Sequence, residues 1–560
     1  MSHLRGWRGR LRRDKYMRRR TAAATAAVAA LLLAAVIAVA DPAGQQSAAR
    51  GRPAPHAVIT VAATSTTTTA SAAPSAPPAA PSPPASVSRS APLARATISL
   101  VRGAPTITLP RSFFGFSIEV WDAMHDVRYL ALFKRAVELV HVPGDGPELL
   151  RIGGDSTDQS YWHKRLPAGR PMAFELRRNW LMAVNAIVRA LHTKLILGLN
   201  AVSRSSSMAA SEARAVLRAL PAHSVVGFEI GNEPDRYRHR FRVQFAADSR
   251  SIIGLAARDR IFSVPGYVHT FSSFASALHR VAPGTPLVGP AVSNPLGGLR
   301  WLSDLVHRDR SSLGLLSAHR YALSACVHNP RSRFYPTIGR LLSPAASAGL
   351  ALSVAPAVAL AHRSGLKFRL TEFNSVTCLG RLGVSNTFAT ALWAPDAIFQ
   401  MLRAHVDGVN LHLRIDSPNA PFVLGPDGFD ARPAFYGLAA FARTLGPGAR
   451  LTPLAVRGAA LSAWGVLVGH RQLRVLVIDK SARGVRVTMR LMGAHDAATV
   501  QRLLAPSVGA EQNVTFAGQS LDASGHWVGR KVVQRIAHGR GGYAVSVPGY
   551  SAALVTVPLR

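Results

Sequence analysis

Cysteine is almost absent from this chain: Cys326 and Cys378 are the only two in 560 residues. That excludes a disulfide-dense scaffold, and with no HxxxH spacing it leaves no recognisable metal site, so no metal and no cofactor is expected. Acidic residues are scarce as well, 29 Asp+Glu against 66 Lys+Arg, a net charge of +37. Residues 1–20 hold nine basic residues against Asp14, so +8 of that charge is terminal and the remainder is spread over the rest. Such a balance draws a protein to polyanions, unless it only reflects a bias toward arginine and alanine. Long apolar runs are lacking except for one near the N-terminus, which excludes a multi-span membrane protein. No G-x-S-x-G elbow surrounds Ser156, and no Gly-rich phosphate loop follows the first strand-like run. No nucleic-acid motif is present either, which argues against the partner that charge alone suggests. What is abundant is ordinary core material, 48% hydrophobic residues, so wholesale disorder is excluded.

The N-terminus reads as an address. Thr21–Ala40 is uncharged, follows the basic Arg5–Arg20 segment and ends in Ala38-Val39-Ala40. It is either a cleaved signal peptide or a single retained membrane anchor; both place the remainder outside the cell or at its surface. Residues 41–93 are mostly Ala, Pro, Ser and Thr and read as a disordered tether.

From 94 to 445, short apolar runs alternate with helix-like segments. The runs are Phe113–Val120, Leu149–Gly154, Lys194–Asn200, Val225–Asn232, Thr285–Ala291, Leu315–Tyr321, Lys367–Asn374 and Gly408–Arg414. Eight strands alternating with helices such as Asn179–Leu191, Phe271–Val281 and Pro395–Ala404 predict an α/β fold, a (β/α)8 TIM barrel closed by the helix Pro433–Leu445. Residues 446–560 turn to period-two, turn-rich segments (Gln472–Lys480, Gly484–Leu491, Tyr543–Leu559), which predict a C-terminal antiparallel β-sandwich domain. The strand-like Ala96–Gly103 precedes the barrel, so residues 94–110 are expected to lend a strand to that sandwich.

Barrel enzymes carry their chemistry at the C-terminal ends of the strands. Those ends hold Glu119, Asp155, Glu233, His319, Glu372 and His412. A strand ending in a polar residue is ordinary. Two positions are less so: Glu233 in FEIGNEPD and Glu372 in RLTEFNS fall on predicted strands four and seven, which face one another across the mouth. Paired carboxylates suit glycoside hydrolysis, one as proton donor and one as nucleophile; two unrelated rim salt bridges are the plain alternative.

NEP on strand four and TEFNS on strand seven resemble the retaining glycoside hydrolases of clan A. With FFGFSIEVWD, LLRIGGDSTDQSYW, SAHRYAL and SNTFATALWAPD, the chain from about Ala94 onward resembles glycoside hydrolase family 79, the β-glucuronidase and heparanase group. The resemblance implies Glu233 as general acid/base, protonated at rest, and Glu372 as nucleophile, about 5–5.5 Å apart. It implies that Asn232 meets the sugar 2-hydroxyl, that Glu119 and Asp155 bind further hydroxyls, and that His319 and Tyr321 orient the nucleophile. Asn374, His412 and the backbone of Gly380 complete the implied substrate contacts. The sugar carboxylate would be met by the loops Val376–Gly383 and Leu411–Phe422. Leu411 stands where some relatives carry an aromatic residue, and Arg414 has no family role: it either pairs with a uronate or is solvated. Cys326 and Cys378 follow neighbouring strands and form either one disulfide or two free thiols. The expected activity is a retaining, exo-acting β-glucuronidase on a β-glucuronide or acidic glycan. A clan A enzyme for a neutral sugar such as xylose, and a non-catalytic binder of acidic glycans, are the alternatives.

Overall fold

The computed structural model describes residues 93–163, 174–237, 263–415, 417–494 and 496–559. The expected export segment and tether lie outside the described residues.

The eight expected strands form a closed parallel barrel: β1 (Phe114–Glu119), β2 (Leu149–Gly153), β3 (Lys194–Leu199), β4 (Val225–Ile230), β5 (Leu287–Val292), β6 (Leu313–Ser324), β7 (Lys367–Thr377) and β8 (Gly408–Leu413). Their near-continuous apolar character follows from burial on both faces, by the barrel interior and by the outer helices. Among the described residues one stretch, Pro344–Arg363, is long and apolar enough to cross a membrane. It is half buried and belongs to the helical layer that covers β7.

Two helices begin well before their expected starts. Phe388–Arg403 carries Pro395 in its interior, where a start was expected, and Val264–His279 opens at Pro265 behind the Ser263 cap. An interior proline removes the hydrogen bond to the carbonyl four residues back, here Ala391. Gly437 of the helix Pro433–Thr444 packs against that carbonyl so closely that any Cβ would collide with it.

The C-terminal domain stacks two sheets. The larger runs through Ser462–Val468, Gln472–Asp479, Ser551–Pro558 and Ala498–Leu504. One of its faces, with Leu476, Ile478 and Leu554, joins the barrel core; the other, with Val475, Val477 and Val555, meets the smaller sheet. Burial on both faces explains the unbroken run Val475–Ile478. Trp464 Nε1 and Lys480 Nζ both donate to buried Asp396 of the barrel helix Phe388–Arg403, at 2.9 and 2.5 Å, and tie the two domains together.

The smaller sheet is ordered Leu454–Gly458, Ala94–Leu100, Val485–Arg490, Tyr543–Val547. The strand preceding the barrel is therefore central in it. It pairs antiparallel with Leu454–Gly458 but parallel with Val485–Arg490, so the sandwich is not wholly antiparallel as expected. The barrel itself is the long crossover that a parallel pair requires. Ile98 is fully buried in this sheet's core. Ile98→Ala should lower stability by about 2–4 kcal/mol, read as a drop in the denaturation midpoint. A change within about 0.5 kcal/mol would mean that the strand is dispensable.

Candidate active site

Glu372 sits at a β-bulge. Ala318 on β6 is opposite Leu370 and His319 is opposite Glu372, so Thr371 is an extra residue in β7. Strand residues normally alternate faces, but a bulge lets two neighbours point the same way. Thr371 Oγ1 donates to the barrel-interior Glu229 at 2.9 Å, while Glu372 also faces inward and receives Arg151 Nη1 at 2.7 Å.

Arg151, fully buried on β2, is the hub beneath the mouth. Its Nε donates to Glu229 Oε2 at 2.8 Å and its Nη2 to Asn232 Oδ1 at 2.7 Å. Only glycine fits at the next same-facing position, since a Cβ at Gly153 would run into this guanidinium. Gly154, at φ +76°, likewise makes room for the Glu119 carboxylate. The RIGG signature is thus a packing requirement of two charged side chains.

Glu233 and Glu372 come together at the mouth. Oxygens of Glu233 and Glu372 and Nδ1 of His319 lie within 4.8 Å of one another. His319 Nδ1 is 3.1 Å from Glu233 Oε1 and 3.4 Å from Glu372 Oε2, so it bridges the two carboxylates. Tyr321 Oη donates to Glu372 Oε2 at 3.0 Å. Glu233 follows β4 in a left-handed conformation (φ 51°, ψ 57°), one that a non-glycine residue adopts only where its surroundings enforce it. Its N–H is fixed on the Ala291 carbonyl at 2.9 Å, and its side chain is 17% exposed, aimed into the mouth.

The charges are arranged to keep one carboxyl ionised. Burial pushes Glu372 upward, but His319, His412 and Arg151 outweigh it and hold the group well below the usual carboxylate range. Burial would lower His319, yet Glu372 and Glu233 raise it, so the bridging imidazole is more basic than an ordinary histidine. Burial and the Glu372 charge raise Tyr321 well above its ordinary value, which keeps the hydroxyl a donor. The three metal-capable atoms of Glu233, His319 and Glu372 are close enough to share a divalent ion. Arg151 and Tyr321 already occupy the Glu372 oxygens, however, and the Arg151 guanidinium supplies positive charge there.

The remaining candidates divide. Asn232 is buried beside the pair: Arg151 takes its oxygen, and its amide points to Asp155 Oδ1 at 3.4 Å. Asp155, 44% exposed, lines the mouth. His412 stands 3.6 Å from Glu372 and 3.7 Å from Glu119. Two expectations change. Glu119 is only 1% exposed and is held by the Ser156 N–H at 2.8 Å and the Ser156 hydroxyl, so it supports His412 and Arg414 from below rather than presenting a free carboxylate. Asn374 is spent on the main chain, donating to the carbonyls of His412 and Asn419 at 2.8 and 3.0 Å, and fastens the loop after β8. Gly380, at φ +84°, packs against Asn419 in that same loop pair. Cys326 and Cys378 form a disulfide that joins the segments following β6 and β7.

Four residues escape a reading of strand ends: Arg151, Glu229, Asp158 and Asp122. Arg151 and Glu229 lie inside apolar runs, LLRIGG and VVGFEIGN, where a lone charge is itself a signal of an internal ion pair. Asp158 accepts from the Asn232 N–H at 3.0 Å, Tyr237 Oη at 2.7 Å and the Ala201 N–H at 2.9 Å, stitching three loops together. Asp122, pushed up to about 8 by burial and by Glu119, receives the Ile415 N–H beside Arg414.

Comparison with known proteins agrees with this architecture. Residues 463–554 match the family model described as the glycosyl hydrolase family 79 C-terminal beta domain. No curated protein matches the chain by sequence. Among solved structures, a 4-O-α-L-rhamnosyl-β-D-glucuronidase from Fusarium oxysporum 12S superposes with a TM-score of 0.63 at 17% identity, covering 82% of this chain and 100% of that one. A family 51 arabinofuranosidase from Xanthomonas axonopodis pv. citri gives 0.59 at 15% identity, covering 83% and 100%. A family 44 xyloglucanase from Paenibacillus polymyxa gives 0.54 at 10% identity, with the same coverage. At such identities the likeness is one of fold. The matched C-terminal domain and the shared fold mark the chain as a glycoside hydrolase, with the family 79 match confined to residues 463–554.

Proposed function

We propose that the protein is a retaining, exo-acting β-glucuronidase in which Glu372 is the nucleophile and Glu233 the general acid/base. The spacing of the two carboxylates carries this reading. Oxygens within 4.8 Å leave no room for the water that an inverting enzyme places between groups about 6.5–9.5 Å apart. In the first step Glu372 attacks the anomeric carbon while Glu233 gives its proton to the leaving oxygen. In the second, Glu233 takes a proton from water, which displaces Glu372 with net retention. Arg151 and Tyr321 hold the nucleophile by one oxygen each, and Asn232, oriented by Arg151, presents its amide where a 2-hydroxyl would sit.

A uronate substrate is favoured by the Arg414 guanidinium at the rim, by the scarcity of acidic residues and by the glucuronidase among the structural neighbours. A neutral sugar is the second reading. Arg414 lies 3.6 Å from Glu119 and 3.9 Å from Asp155, contacts that would neutralise it without a substrate carboxylate. The uncharged run after a basic N-terminus and the Cys326–Cys378 disulfide support action outside the cytoplasm, secreted or anchored.

Aryl β-glucuronide, glucoside, xyloside and galactoside, offered to the full chain, separate these readings. Turnover of the glucuronide alone is expected, with Glu372→Ala reducing it by at least about 10⁴-fold and Glu233→Gln by about 10²–10⁴-fold. Azide should rescue Glu372→Ala as the α-glycosyl azide and Glu233→Ala as the β-anomer; the reverse pattern would exchange the roles. Arg414→Gln should raise KM for the glucuronide by about 10–100-fold, the value of a charge-assisted hydrogen bond, and leave any glucoside turnover alone. Equal loss on both sugars would favour the neutral-sugar reading.

Arg151→Lys tests the hub. A lysine cannot reproduce the three-way fork, so the pKa of Glu372 should rise toward an ordinary carboxylate. Because the nucleophile must be ionised, the acid limb of kcat/KM should then move to higher pH by about one unit or more. An unmoved acid limb would show that Arg151 does not keep Glu372 charged.

A further inference from the structure

The smaller sheet of the C-terminal domain has one face packed against the larger sheet and one face bare. Along Val485–Arg490 the side chains alternate buried and exposed: Val485, Val487 and Met489 enter the core, while Arg486, Thr488 and Arg490 face out. Pairing register carries that alternation across the sheet. Arg95 lies directly beside Arg486, Thr97 stands between Arg457 and Thr488, and Ser99 lies beside Arg490. The next strand adds only Ala544 and Ser546 on this side.

The outer face thus presents four arginines among small hydroxylated residues. Arg486 and Arg490 are about 13 Å apart along one strand, with Arg95 one strand spacing, about 4.8 Å, from Arg486. At the sheet's edge Arg502 Nη2 caps the Ser546 carbonyl at 3.2 Å, which adds a fifth guanidinium. Some cations elsewhere on the surface do meet acids, as Lys134 and Arg135 do with Glu138 and Arg300 with Asp304. Among the described residues, no carboxylate lies within 4.0 Å of a nitrogen of Arg95, Arg457, Arg486 or Arg490. Placing four like charges together without counter-charges costs free energy, and a bound polyanion would recover it.

We propose that this face binds an acidic polysaccharide and holds the polymer on the enzyme apart from the barrel mouth. Three observations favour a glycan over other polyanions. Guanidinium forks match carboxylates or sulfates two oxygens at a time, and the intervening Thr97, Thr488 and Ser99 offer hydroxyls suited to sugar hydroxyls. No aromatic ring stands on the face, so it lacks the stacking surface that single-stranded nucleic acid uses. Within its strands no large apolar side chain is exposed on this face, so little there would insert into a bilayer.

The test compares two variants of the full chain. One carries Arg95→Gln, Arg457→Gln, Arg486→Gln and Arg490→Gln. The other removes the same charge from exposed barrel-helix positions: Arg189→Gln, Arg214→Gln, Arg218→Gln and Arg300→Gln. Binding of fluorescent polyglucuronate and of heparin is measured across a salt series, with duplex DNA and phosphatidylglycerol vesicles as competing probes. Circular dichroism and thermal unfolding confirm that each variant is folded whether or not the barrel is active. The sheet variant should lose at least tenfold in affinity for the glycans and show a shallower salt dependence, while the helix variant stays close to wild type. Equal losses in both variants would overturn the proposal in favour of bulk charge. A sheet-specific loss for DNA or vesicles but not for the glycans would overturn it in favour of another partner.

Discussion

Arg151 brings to one point three groups that would not otherwise tolerate each other: the carboxylates of Glu229 and Glu372 and the amide of Asn232. Two buried carboxylates repel, and each alone would pay a desolvation cost of several kcal/mol or take up a proton. The guanidinium between them supplies the counter-charge in the barrel interior. The three acceptors come from β7, from β4 and from the turn that follows β4, so the same contacts also set how far apart the two halves of the mouth sit. Glu233 is the residue after Asn232. Its position therefore depends on a hydrogen bond that it does not itself make.

The barrel strands are legible in the sequence because burial on both faces leaves runs of apolar residues that no surface element resembles. The two carboxylates are legible because strand ends are where a barrel must become polar. Arg151 and Glu229 are harder to see, because strand-end reasoning passes over the middle of a run. The bulge at Thr371 is invisible in one dimension: nothing in RLTEFNS says that two adjacent residues share a face. Helix starts at Phe388 and Val264 are obscured by proline, which marks a first turn in most helices and an interior position in Phe388–Arg403. Glu119 and Asn374 show the limit of position-by-position transfer, since both stand where the motifs put them but are already engaged by the protein's own backbone.

The C-terminal domain differs from an appended module. Its larger sheet serves two cores at once, and Asp396, buried in a barrel helix, receives Trp464 of that sheet and Lys480, which follows its strand Gln472–Asp479. Burial alone would raise Asp396, but Lys480 holds it below its ordinary value, so the contact outlasts an ordinary carboxylate as pH falls and is lost only when acid protonates it. Under neutral conditions the sandwich and the barrel should behave as one cooperative body.

The strand Ala94–Leu100 gives this arrangement a direction in time. It lies before the barrel, yet both its partners, Leu454–Gly458 and Val485–Arg490, lie after it. During synthesis the strand emerges first and waits, with its hydrogen-bonding edges open, until the whole barrel has been made. An open strand is a template for the wrong partner, including the same strand of a neighbouring nascent chain. Arg95 and the hydroxyls of Thr97 and Ser99 on its outer side are the kind of residues that discourage such pairing. The same side chains that could receive a ligand in the finished protein would then have protected the chain while it was incomplete.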